Sequence, residues 1–135
     1  MKDDTLLDLA KSNLSSAKLL YRFKDDDEIR LNTVGYLLQQ AIELALKHHL
    51  ETSGVEYPKT HDIDSLLALC EEDEFPEIEP WAESITALES KTRYIKNYRL
   101  ALRKVDQIMH LADKVIEKIE KLHEKDSEET DSFSP

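Results

Sequence analysis

The chain has 135 residues, enough for one domain around one core. Hydrophobic content of 40% with only 2 glycines and 4 prolines favours long uninterrupted helices over a turn-rich β fold. A formal net charge of -11 argues against broad nonspecific nucleic-acid binding, and the single Cys70 excludes an internal disulfide.

The opening stretch MKDDTLLDLAKSN lacks the basic start and continuous apolar run of a signal peptide. No apolar run approaches the roughly 20 residues of a membrane span. With one cysteine, a reducing cytoplasm is the expected setting. A first helix is expected from about Asp4 to Phe23, with Leu6, Leu9, Ala10, Leu14, Ala17, Leu20 and Tyr21 as its apolar stripe. Asp3, Asp4 and Thr5 are its capping candidates. Asp25-Asp26-Asp27-Glu28 reads as a turn and a second acidic helix start.

Leu31 to Leu50 is the stretch on which the rest depends. Val34, Leu37, Leu38, Ala41, Ile42, Leu44, Ala45 and Leu46 recur at helical spacing over an arc wider than a surface helix needs. Tyr36, Gln40, Glu43 and Lys47 fill the opposite side. Such a helix packs against several neighbours and is expected at the centre of a bundle, with Leu38, Ile42 and Ala45 among the most buried residues. Gly54 is a candidate C-cap. Thr60-His61-Asp62 opens a short helix bearing Ile63, Leu66, Leu67 and Cys70, with Thr60 as N-cap. Pro76 and Pro80 break the acidic stretch that follows, and Pro80 suits the first turn of the next helix. There Trp81, Ile85, Leu88, Thr92 and Ile95 step by four, three, four and three. The last helix is expected to begin between Lys96 and Leu100 and to run to about His123. Its stripe is Ala101, Val105, Ile108, Ala112, Val115, Ile119 and Leu122. Residues 124–135 hold five acids and one lysine and read as an acidic disordered tail, leaving 1–123 as the domain.

Beyond this helical-bundle pattern, the chain resembles the HEPN family. The matching residues are Tyr36-Leu37-Leu38-Gln39-Gln40-Ala41-Ile42-Glu43-Leu44-Ala45-Leu46-Lys47, then Gly54, then Thr60-His61-Asp62 with Leu66 and Leu67, then Arg93-Tyr94. The likeness spans roughly residues 5 to 122. It implies an all-α, up-and-down four-helix bundle with an additional short helix, forming homodimers. It also implies nucleotide or RNA binding. Many members are metal-independent ribonucleases, often toxins in toxin–antitoxin systems beside a small nucleotidyltransferase partner. The nuclease members carry an Arg, four to six residues, then a His, and paired copies of this motif meet at the dimer interface.

Arg103 and His110 have six residues between them and lie about 20° apart around an ideal helix, opposite the core stripe. They are the candidate catalytic pair. An imidazole can move the 2′-OH proton or protonate the leaving oxygen, and a guanidinium can grip the phosphate at two points. Two departures weigh against this reading. Lys104 follows Arg103 where the motif often has a small polar residue, and Leu111-Ala112 supply no aromatic after His110. The alternative is a solvated helix face. Ser90 to Val105 is a basic, acid-free window. Within it Arg93, Tyr94, Lys96 and Arg99 are candidates for phosphate binding and base stacking. The alternative there is that the cations balance neighbouring acids and the tyrosines are packed.

Metal chemistry is poorly supported by spacing. His48 and His49 are adjacent and about 100° apart. Glu120-x-x-His123 has no second copy in the chain. No metal site and no cofactor are expected. The expected function is a nucleotide- or RNA-binding protein extending, if the Arg-His motif is real, to a metal-independent ribonuclease. The competing expectation is a non-catalytic, dimeric protein-interaction module. Leu100 and Leu111, read as flanking the outer face of the last helix, would contribute to the homodimer contact.

Overall fold

The computed structural model describes residues 3–132, with side chains for residues 3–124. Five α-helices follow one another: α1 (Leu6–Tyr21), α2 (Arg30–Thr52), α3 (Ile63–Leu69), α4 (Ala82–Tyr94) and α5 (Leu102–Ser132). Short 3-10 turns at Lys24–Asp26 and Glu79–Trp81 lead into α2 and α4. This is the expected all-α bundle of longer helices with one short helix. Among the described residues no helix is long and apolar enough to cross a membrane.

α1 begins where the sequence supplies a reciprocal cap. The Thr5 hydroxyl accepts the Asp8 N–H at 3.0 Å, and the Asp8 carboxylate accepts the Thr5 N–H at 2.9 Å. These bonds satisfy amides that the first turn of a helix leaves open. α2 ends in a Schellman arrangement. Gly54 takes φ +75°, its N–H bonds the Glu51 carbonyl, and the Val55 N–H reaches back to Leu50 at 2.8 Å. Glycine adopts this left-handed conformation without Cβ strain.

α2 is the hub and contacts all four other helices. Leu38, Ile42 and Ala45 are each 0% exposed, as their central position on the apolar arc requires. Around them lie Ala10, Leu14 and Ala17 of α1, Ile63 and Leu66 of α3, Ile85 and Leu88 of α4, and Val105, Ile108, Ala112 and Ile119 of α5. α1 packs along α2. Its exposed polar face is linked to α5 by Lys11–Glu120 at 2.9 Å and Lys18–Asp113 at 2.6 Å.

Several local expectations are corrected. The N-cap of α3 is Asp62, whose carboxylate accepts the Asp64 N–H at 3.1 Å; Thr60 instead caps the turn before it, accepting the Asp62 N–H at 3.0 Å. α4 stops at Tyr94, leaving Ile95 outside the helix and exposed. α5 starts at Leu102, so Ala101 precedes the helix. Leu100 and Leu111 are buried in the core, so neither forms an outer face for a second copy. Leu100 turns inward because Gly35 leaves room: a Cβ there would meet Leu100 Cδ2 at 2.3 Å. Beyond Glu124, the expected tail falls on positions whose side chains lie outside those described.

Candidate nucleic-acid interface

The basic window occupies the end of α4, the connection 95–101 and the first turn of α5. Its backbone is held from α2. The buried Asn32 side chain accepts the Leu100 N–H at 2.9 Å and donates to the Tyr98 carbonyl at 2.7 Å. Asn97 takes φ 62° in this connection, a left-handed conformation that asparagine tolerates better than most residues. The connection is therefore a fixed platform, with Lys96 and Arg99 exposed on it and Arg103 exposed beside it in the first turn of α5.

The candidate residues differ in how far they are already engaged. Arg93 is occupied: its Nη2 donates to the Glu89 carboxylate at 2.8 Å and its Nε to the Glu89 carbonyl at 3.0 Å. Its guanidinium also lies 4.9 Å from the ring centres of both Tyr36 and Tyr94. Such cation–π contacts stabilise exposed sites by about 0.5–1 kcal/mol each. Tyr94 itself is 72% exposed and presents its ring to solvent. Arg99 donates to the Tyr98 carbonyl at 2.9 Å and approaches the exposed Glu28 only at 3.9 Å. Among the described residues Lys91, Lys96, Arg103 and Lys104 form no ion pair. This is a patch of uncompensated positive charge on a chain of net charge -11.

Arg103 and His110 are both exposed on α5. Seven residues of helix separate their backbones by about 10 Å along the axis. Within one chain they share a face without meeting at one point.

A second polar constellation was not read from the sequence. Glu43, placed there on the polar side of α2, is 2% exposed. Its carboxylate accepts from Gln39 at 2.9 Å, Lys47 at 3.1 Å and His61 Nδ1 at 3.0 Å. Three donors offset a desolvation penalty that would otherwise reach several kcal/mol. His61 Nε2 lies 3.9 Å from Glu89, which also holds Arg93. Glu43, His61, Glu89, Arg93 and Tyr36 thus form one polar line from α2 through the segment before α3 to α4. The signal that could have found it is the helical spacing of Tyr36, Gln39 and Glu43, which places them on one side of α2.

Toward the far end of α2 lies one group of side chains within metal-ligating reach among the described residues: His49, Cys70 and Glu74. Burial, and then the charge of Glu74, push the Cys70 thiol up to about 12.

The model of the HEPN domain family matches residues 4–122. The chain belongs to the HEPN family. That match covers all five helices up to the last turns of α5 and includes the Glu43–His61 pair, Arg93-Tyr94, Arg103 and His110. HEPN domains are helical bundles that often dimerise and bind nucleotides. No curated protein and no solved structure matches the chain at a significant level.

Proposed function

We propose that this HEPN protein binds RNA or nucleotides through the basic platform of Lys96, Arg99, Arg103 and Lys104. Arg93-Tyr94 borders it, and a second copy completes the site as a metal-independent endoribonuclease of the toxin–antitoxin type. The observation that carries the reading is the charge of exposed Lys96 and Arg103 and half-buried Lys104, without ion pairs among the described residues, on the rigidly held connection and the first turn of α5. Cations left unpaired on an acidic protein are suited to phosphate. The exposed Tyr94 ring offers a stacking surface for a base. His110 supplies the group that moves a proton, and Arg103 the group that neutralises charge on the phosphate. Because the two lie about 10 Å apart along one helix, an Arg from one copy and a His from the other would act together.

Binding and cutting are tested separately. Fluorescence anisotropy with a single-stranded RNA at low salt is expected to show binding by the wild type and weaker binding by Arg103→Ala. Cleavage in the presence of EDTA is expected for the wild type, whereas His110→Ala should bind but not cut. Absence of wild-type binding to RNA and to nucleotides at low salt would sink the proposal. Binding without cleavage would remove the nuclease role alone.

A non-catalytic, dimeric interaction module is the second reading, with a nucleotidyltransferase as its partner. It is favoured by the exposed apolar side chains beside the platform, Tyr94 at 72%, Ile95 at 54% and Leu102 at 42%. The RNA assays above distinguish the two: the interaction module would neither bind RNA at low salt nor cut it, while still forming a complex with its partner in light scattering.

A further inference from the structure

We propose that His49, Cys70 and Glu74 form a binding site for one divalent transition metal ion of the zinc class. The three groups come from separate places in the chain: the last turns of α2, the C-cap of α3 and the turn that follows it. Their ligating atoms lie within 4.8 Å of one another. His49 Nε2 and Glu74 Oε1 are already 2.6 Å apart. Zinc bonds of about 2.0–2.3 Å place tetrahedral ligand atoms about 3.3–3.7 Å from each other. Closing the thiol in and letting the imidazole and carboxylate part each need about 1 Å of movement, within reach of side-chain rotation.

The surroundings hold the three groups in position. Cys70 and Glu74 straddle a tight turn in which the Glu74 N–H bonds the Glu71 carbonyl and Asp73 takes φ 58°. The Lys118 ammonium donates to the Glu74 carbonyl, fixing the turn to α5 while leaving the carboxylate to face His49. Behind His49, its Nδ1 is 2.9 Å from His123 Nε2. A neutral imidazole that ligates through Nε2 carries its proton on Nδ1, and His123 is placed to accept it. Metal-ligating histidines are commonly oriented by such a contact. Phe75 closes one wall, edge-on to the His49 ring at 5.2 Å.

The donor set selects the metal. One imidazole, one thiolate and one carboxylate suit zinc, cobalt or a related ion, and suit calcium or magnesium poorly. On binding, the thiol proton leaves to solvent. Three protein ligands leave a fourth position for water or a small anion. The bound ion would tie the end of α2 to the α3–α4 connection. This departs from the expectation of no metal, which rested on spacing within single helices. His49 and Cys70 are 21 residues apart in the chain, and only the fold brings them together.

The test is equilibrium dialysis of the full chain against zinc and, separately, cobalt. Wild type is expected to retain one ion per chain. The cobalt form should show a thiolate-to-metal charge-transfer band. Cys70→Ser should lose that band; both Cys70→Ser and Glu74→Gln should weaken retention at least about tenfold, while His48→Gln should do neither. Circular dichroism checks that each variant is folded. A second measurement needs no variant: because Cys70 is the single cysteine, zinc should slow its alkylation by iodoacetamide. Three results overturn the proposal: no stoichiometric metal in wild type, wild-type retention in both Cys70→Ser and Glu74→Gln, or a thiol that reacts equally fast with and without zinc.

Discussion

The carboxamide of Asn32 receives the Leu100 N–H at 2.9 Å and gives its own N–H to the Tyr98 carbonyl at 2.7 Å. One side chain of α2 thereby replaces the secondary structure that residues 98–100 lack. Asn32→Ala removes both bonds and leaves a buried backbone amide without its acceptor. The expected loss is about 2–4 kcal/mol in urea unfolding. A loss below about 0.5 kcal/mol, the level of an ordinary surface change, would show that the segment does not depend on this contact.

Gly35 is the counterpart of that contact. Gly35→Ala places a methyl group 2.3 Å from Leu100 Cδ2, inside the van der Waals limit, with Leu88 close behind. Overpacking of this kind destabilises by about 1–3 kcal/mol. The diagnostic measurement is a double-mutant cycle. In a Leu100→Ala background the same Gly35→Ala change should cost much less. Equal costs in both backgrounds would place the strain elsewhere.

Salt should report on the basic platform. Each phosphate contact releases counterions, so Arg103→Ala is expected to weaken RNA binding and reduce the slope of log affinity against log salt by about one. Glu89→Gln, which loosens Arg93 without removing a platform cation, should leave that slope nearly unchanged. An unchanged slope for Arg103→Ala would mean that Arg103 touches no phosphate.

The sequence made the helices legible because apolar periodicity is a local property. Leu38, Ile42 and Ala45 could be placed in the core from their spacing alone, and Thr5 and Gly54 from cap chemistry. Buried polar residues were not legible, since periodicity assigns them to solvent. Glu43 sits on the polar side of α2, yet His61 and the segment before α3 cover it. Asn32 looks like any residue of a first turn until the partner of its amide, 66 positions away, is known. Leu100 and Leu111 were misplaced for a related reason. Leu100 precedes α5 and enters the room left by Gly35, which no helical projection of α5 shows, whereas Leu111 lies beside the stripe of Ile108, Ala112 and Val115 and is buried with it. Of the candidate site, the exposure of Arg103 and His110 followed from the stripe opposite them. The stacking of Arg93 between two tyrosines did not.

His48 makes stability depend on pH. Burial chiefly lowers its pKa below the usual 6.5, while Glu51 and Asp8 oppose this and His49 adds to it; the His123 ring from α5 stands 5.9 Å away. The folded state therefore binds its proton less readily than the unfolded chain. The associated stability is present above pH 6.5 and is lost as pH falls from there through the lower folded value. Urea midpoints measured downward from pH 7.5 should fall, and His48→Gln should fall less. Parallel curves for the two proteins would remove His48 as the cause.

The packing of α1 along α2 also bears on the order in which the chain acquires its structure. These helices are neighbours in sequence, so their pairing closes a short loop. α5 must instead find α2 from some fifty residues farther along. Loop closure favours early formation of the local pair and late docking of α5. In stopped-flow measurements Ala17→Gly in α1 should mainly slow folding, and Ile119→Val in α5 should mainly speed unfolding. Equal partition of the two effects would mean that the whole bundle condenses together.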